Sequence, residues 1–153
     1  MADSKFGKYI IDGIPDLIQE ENAQREAAEG VSPGKMLLYT DGRFNPHANY
    51  FTTQWVYGPS EEGIPPIKHD HSYDEYIGFF GSDTDNPEDL CGEIELSLGD
   101  ELHTITKSCV VFIPAGVSHC PMRFKRVDKP IFYFATTPTS GYSKENTEKY
   151  NQQ

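Results

Sequence analysis

Between residues 35 and 136 the chain is cut into nine short extended runs, and this rhythm constrains its architecture more than any other feature. The runs fall at 35–40, 49–57, 66–71, 75–80, 92–98, 101–106, 109–113, 119–125 and 131–136. Local reversals such as Asp41-Gly42, Gly99-Asp100 and Asp128-Lys129-Pro130 separate them. Many short strands at even spacing predict an all-β sandwich or barrel. At 153 residues this is one domain with at most a small appendage.

The flanks read differently. Residues 1–34 form an N-terminal extension, with Tyr9, Ile10 and Ile11 able to add a short strand. Pro15 at a first helical turn, Asp16 behind it and Gly30 past the end predict a short helix over 15–29, apolar only at Ile14, Leu17 and Ile18. The barrel proper is expected over 35–137. Residues 138–153 read as a loose polar tail that Tyr142 and Tyr150 can pin to a neighbour.

Three histidines and a glutamate carry the chemistry. His69 and His71 stand two apart on one run, so they share a face while Asp70 points the other way. Ser72, Tyr73 and Asp74 can turn the corner so that Glu75 opens the next strand beside the two imidazoles, and His119 follows at the start of a later run. Neutral imidazoles and a carboxylate suit one borderline divalent ion such as iron, zinc, manganese or nickel. His47 and His103 fit no ligand spacing and read as surface or rim residues. The acidic stretch 82–89 lacks a calcium-loop pattern and reads as solvated. Cys120 adjoins His119, so regular alternation would turn it away from the ion and into a packing role.

Gly63, His69, His71 and Glu75 resemble the first signature motif of the cupin family, and Pro114, Gly116 and His119 resemble the second. Ser108 and Cys109 stand where the family usually has Gly-Asp, Arg123 stands where an Asn is usual, and a polar segment over 82–91 precedes the closing Gly92. None of these departures touches the four ligands. The resemblance spans about residues 48–137. It implies a double-stranded β-helix, a jelly-roll barrel, holding one divalent transition metal on His69, His71, Glu75 and His119. Because the ligand set is shared by lyases, isomerases and dioxygenases of the family, it leaves the reaction open.

Two further residues are candidates for catalysis. If the strand from His119 runs regularly, Arg123 faces the metal and suits a substrate carboxylate; otherwise it is a rim arginine. Tyr73, beside the ligands, is either an acid or hydrogen-bond donor, or a packed turn residue. The function expected is an enzyme on a small polar or carboxylate-bearing molecule, with a metal-dependent sensor or carrier as the alternative.

The partners follow from charge and patterning. Glu75 facing the metal puts Ile77 and Phe79 inside, and leaves Tyr76 and Phe80 outside with other apolar residues that need a cover. A second protomer, making a homodimer, is one cover, as the resemblance also implies; the N-terminal segment folded over the same sheet is the other. A formal charge of −11 makes nucleic acid and membrane surfaces poor partners. With no signal-peptide pattern and an odd count of three cysteines, the chain is expected in the cytoplasm with reduced thiols.

Overall fold

The computed structural model describes residues 4–30, 32–60, 62–65 and 67–149. Ten strands form two five-stranded sheets: β1 (Gly34–Thr40), β2 (Phe51–Val56), β3 (Ile67–Asp70), β4 (Glu75–Gly81), β5 (Asp89–Leu98), β6 (Glu101–Lys107), β7 (Cys109–Ile113), β8 (His119–Val127), β9 (Ile131–Thr136) and β10 (Glu145–Lys149). One sheet runs β1-β2-β9-β4-β7 and the other β10-β3-β8-β5-β6, with every ladder antiparallel. All nine predicted strands are present, though Pro66, which began the third, lies outside the described residues.

The core lies between the two sheets because the central strands turn an apolar face inward. Ile77 and Phe79 of β4, Ile94 and Leu96 of β5, and Met122 and Phe124 of β8 are each at most 2% exposed. Their outward neighbours Tyr76 and Phe80 stay 45% and 38% exposed, so the expected phase of β4 holds. Removing a ring such as Phe79 from this interior would cost about 3–5 kcal/mol.

Helix α1 (Asp16–Glu29) starts one residue later than expected, with Pro15 at the N-cap position and not in the first turn, and Gly30 ends it with φ 94°, as the sequence predicts. The N-terminal strand expected at Tyr9 to Ile11 does not form; a single 3-10 turn, Gly7–Tyr9, stands there, and Ile10 is 73% exposed. This segment follows the end of β1, where the Tyr39 N–H donates to Gly13 O at 3.3 Å. It leaves Tyr76, Val110 and Phe112 on the outer sheet face 45–50% exposed, so it is not their cover.

The expectation of a loose tail is also corrected. Residues 145–149 form β10 on the free edge of β3, with Glu145 opposite Asp70 and Lys149 opposite Ile67. An edge strand docks through backbone hydrogen bonds, which need no apolar alternation, so its polar sequence gave no warning. Tyr142 does pack inward; Tyr150 lies outside the described residues.

Candidate metal centre

The four expected donors come from three strand ends. His69 on β3 and His119 at the start of β8 are direct cross-strand partners. His71 follows β3, and Glu75 opens β4 opposite Ile113 of β7. The two motif loops are tied together where the Gly116 N–H donates to His71 O at 2.8 Å and the Ala115 N–H donates to the Asp74 carboxylate at 2.9 Å. Glycine is required at position 63, because a Cβ there would lie 2.3 Å from that of Pro121. All four donors are at most 2% exposed.

Each imidazole is oriented by its other nitrogen. His69 Nδ1 meets Ile67 O at 2.9 Å, His119 Nδ1 meets Val117 O at 2.9 Å, and His71 Nδ1 makes a short bond to Ser143 O. A carbonyl accepts only, so each Nδ1 carries the proton and each Nε2 of a neutral ring presents a lone pair. His71 Nε2 and His119 Nε2 stand 2.8 and 3.1 Å from the same oxygen, Glu75 Oε2. His71 Nε2 is buried with no directed hydrogen bond despite that proximity. Two lone pairs aimed at a carboxylate repel it unless protons or a cation lie between. Donors each about 2.1 Å from one ion and at right angles would be about 3.0 Å apart, so the spacing fits an ion. His69 is not in the trio of donors that His71, Glu75 and His119 form: its ring centroid lies 4.9 Å from that of His71 and 4.5 Å from that of His119, and its Nε2 accepts from the Tyr142 hydroxyl at 3.3 Å.

Electrostatics follow from this packing. Burial alone would raise the Glu75 carboxyl, but when His119 and His71 carry a second proton their hydrogen bonds and charge outweigh it and hold it at about 2. Burial pushes His69 down to about 4, opposed by the Ile67 carbonyl and aided by neighbouring positive charge. Tyr50 and Tyr142 are pushed up by burial first and then by the charge of Glu75, and Tyr133 by burial, then Tyr50 and Glu75, so their phenols stay protonated. Sequence reasoning missed these three rings as site walls. The inward phase of Ile131, Tyr133 and Ala135 could have revealed one of them, while nothing marked Tyr142 beyond its being an aromatic in a polar stretch.

The remaining predicted residues fall in different places. Tyr73 stacks on His71 with centroids 5.0 Å apart, and its hydroxyl both accepts from Ser143 N at 2.8 Å and faces Ser143 O at 3.1 Å, so it anchors the segment before β10. Asp70 points away from the imidazoles, as expected, and accepts from Asn146 Nδ2. His47 is exposed, and His103 pairs with Glu101 at 3.0 Å on β6.

Cys120 and Arg123 overturn the expectation of a regular β8. Against Leu96 and Leu98 of β5 stand Met122 and His119, so β8 carries one extra residue there, and Cys120 has φ 67°. This bulge resets the alternation. Cys120 turns inward beside His119 and is 2% exposed, while Met122 and Phe124 take the core side that regular spacing would have given to Arg123. Arg123 instead lines a small recess with Glu95, Ser97, Leu102 and Pro121, away from the imidazoles.

Two facing antiparallel sheets in this strand order, with both motifs converging at one end of the interior, decide the architecture. The fold is a jelly-roll barrel, cupin-like in its strand order and in the placing of the two motifs. No family model matches the chain, and no curated protein does. Similar solved structures include the polyketide cyclase RemF from Streptomyces resistomycificus, at 13% identity and TM-score 0.48 over 79% of this chain and 73% of that one. A cupin-2 domain from Rhodospirillum rubrum is similar at 10% identity and TM-score 0.46 over 79% and 68% of the two chains. KdgF from Halomonas sp. is similar at 13% identity and TM-score 0.40 over 69% and 76%. These are likenesses of fold only, and the jelly-roll reading stands on strand order and motif geometry.

Proposed function

We propose that this chain is a divalent-metal cupin enzyme whose ion is held by His69, His71, Glu75 and His119 and which acts on a small polar or carboxylate-bearing molecule. One observation carries the reading: a buried carboxylate faces imidazole nitrogens whose tautomers are fixed by backbone carbonyls, with no lysine or arginine paired to it among the described residues. A bound divalent ion supplies Lewis acidity toward a carbonyl or carboxylate oxygen. Glu75 offsets part of the ion's charge, and the Nδ1 bonds keep the rings aimed. Tyr50, Tyr133 and Tyr142, held protonated, can donate hydrogen bonds to an anionic oxygen. That wall favours proton-transfer or lyase chemistry at a carbon next to a carbonyl.

A second reading, a binding or sensing module without turnover, is favoured by the Tyr142 hydroxyl lying on His69 Nε2 and by the bonds that fasten Ser143 over His71. Metal analysis of the purified protein, then proton–deuterium exchange and oxygen-uptake assays on small keto and hydroxy acids with and without the ion, separates the readings. Metal-dependent turnover supports the enzyme, and metal-dependent binding without turnover supports the module. Oxygen uptake would move the assignment to the iron dioxygenase branch.

A homodimer is part of the same proposal. Tyr76 and Phe112 pack tilted at 5.1 Å, and Phe51 and Phe134 stack at 6.0 Å, on the outer face of β1-β2-β9-β4-β7, an apolar surface suited to a second copy. Phe112→Asp is expected to yield monomers in sedimentation velocity; a wild-type monomer would refute it. Free Cys91, Cys109 and Cys120 fit a reducing cytoplasm. No helix among the described residues is long and apolar enough to cross a membrane.

A further inference from the structure

Cys120 has no part in the function proposed above, yet it sits where a ligand would. The bulge in β8 and the left-handed backbone at Cys120 bring its thiol to the side of His119. There Cys120 Sγ, a ring nitrogen of His69 and a ring nitrogen of His119 lie within 4.8 Å of one another, all on side chains at most 2% exposed. His71, Glu75 and His119 form a second trio within the same limit. His119 belongs to both trios, and its one available nitrogen lone pair serves a single ion. One ion position is therefore bordered by an oxygen donor on one side and a sulfur donor on the other. His71 Nε2, buried at the same place without a directed hydrogen bond, is a further lone pair that a cation would engage.

We propose that Cys120 is a sulfur ligand of this centre, drawing a soft or borderline ion such as cadmium, zinc or cobalt(II) toward His69, His119 and Cys120. A hard ion such as manganese(II) stays with Glu75. This rests on the metal-binding reading above and adds to it the class of ion preferred. Thiolates select soft ions, and carboxylates suit hard ones. On binding, the S–H bond breaks and a metal–sulfur bond forms, the proton leaves to solvent, and no electron changes hands. The Tyr142 hydroxyl gives up its bond to His69 in the process.

The test uses the full chain, stripped with a chelator and titrated with cobalt(II) under reducing conditions. The wild type is expected to show a near-ultraviolet thiolate-to-cobalt charge-transfer band, and Cys120→Ser to lose it while keeping the visible ligand-field bands. In competition, Cys120→Ser weakens cadmium(II) binding about tenfold or more and leaves manganese(II) binding within about twofold. Wild-type protein that binds cobalt(II) without a sulfur band overturns the Cys120 assignment and leaves the metal centre standing. Protein that binds no cobalt(II) overturns both. Equal losses for cadmium and manganese also overturn the assignment, and if Cys120→Ser does not fold, the wild-type spectrum decides alone.

Discussion

Two carboxylates are buried alike in this barrel, Asp41 and Glu75 at 2% exposure each, and they are neutralised in opposite ways. Asp41 carries its own cation: Arg43 Nη2 and Nε donate to Oδ2 at 2.9 and 3.0 Å, the Arg43 N–H donates to Oδ1 at 2.8 Å, and the Tyr39 hydroxyl donates at 2.9 Å. Burial would raise this carboxyl, but the guanidinium and the other donors bring it below its ordinary value. Arg43 also reaches Glu21 at 3.1 Å, tying α1 to the end of β1. Among the described residues Glu75 is paired only with imidazoles, and Lys144 feels its charge without pairing to it. A carboxylate with a resident guanidinium builds a structure; one facing aimed lone pairs awaits an ion or protons.

The contrast is open to direct attack. The largest effect is expected at the ligands: His71→Ala lowers metal affinity about 100-fold or more, read by metal analysis after dialysis, whereas Asp70→Ala keeps the ion. Equal losses would show the phase of β3 to be wrong. At the other carboxylate, Arg43→Ala leaves Asp41 short of its guanidinium and costs about 2 kcal/mol, since Arg43 is partly exposed. That lowers Tm by roughly 4–8 °C and leaves metal content unchanged.

A third test uses acid. In metal-free protein His69 titrates at about 4 against its ordinary 6.5, so the unfolded chain takes up that proton first. Its contribution to stability is complete above pH 6.5 and falls as pH drops toward about 4, measured by urea melts across that window. The same melts on ion-loaded protein should start higher and fall more steeply, because the proton then competes with the ion. The smallest effect is expected for Tyr142→Phe. Removing the hydroxyl that occupies His69 Nε2 raises metal affinity by about fivefold, the equivalent of about 1 kcal/mol for one hydrogen bond. Isothermal titration checks the direction, and weaker binding would make the hydroxyl a helper of the centre.

Much of the fold was legible because nine strands announce themselves by turns and apolar runs, and the convergence of His69, His71, Glu75 and His119 on one buried cluster was legible from their spacing. The failures have one physical origin each. Cys120 and Arg123 were misplaced because a single inserted residue inverts every side chain beyond it, and a bulge leaves no apolar signature in His-Cys-Pro-Met-Arg. The strand β10 was read as tail because backbone pairing at an edge is blind to side-chain polarity. Asp41 was read as half of a turn with Gly42, which it is, but its burial under Tyr39 and Arg43 depends on contacts that local sequence does not record.

The short segment before β10 gives the centre an external handle. Ser143 accepts from His71, Tyr73 holds Ser143 in place, and Asn146 grips Asp70 from the next strand position. Fraying of that edge would free an imidazole to swivel, so ion capture and protection of the segment from proteases become two views of a single equilibrium.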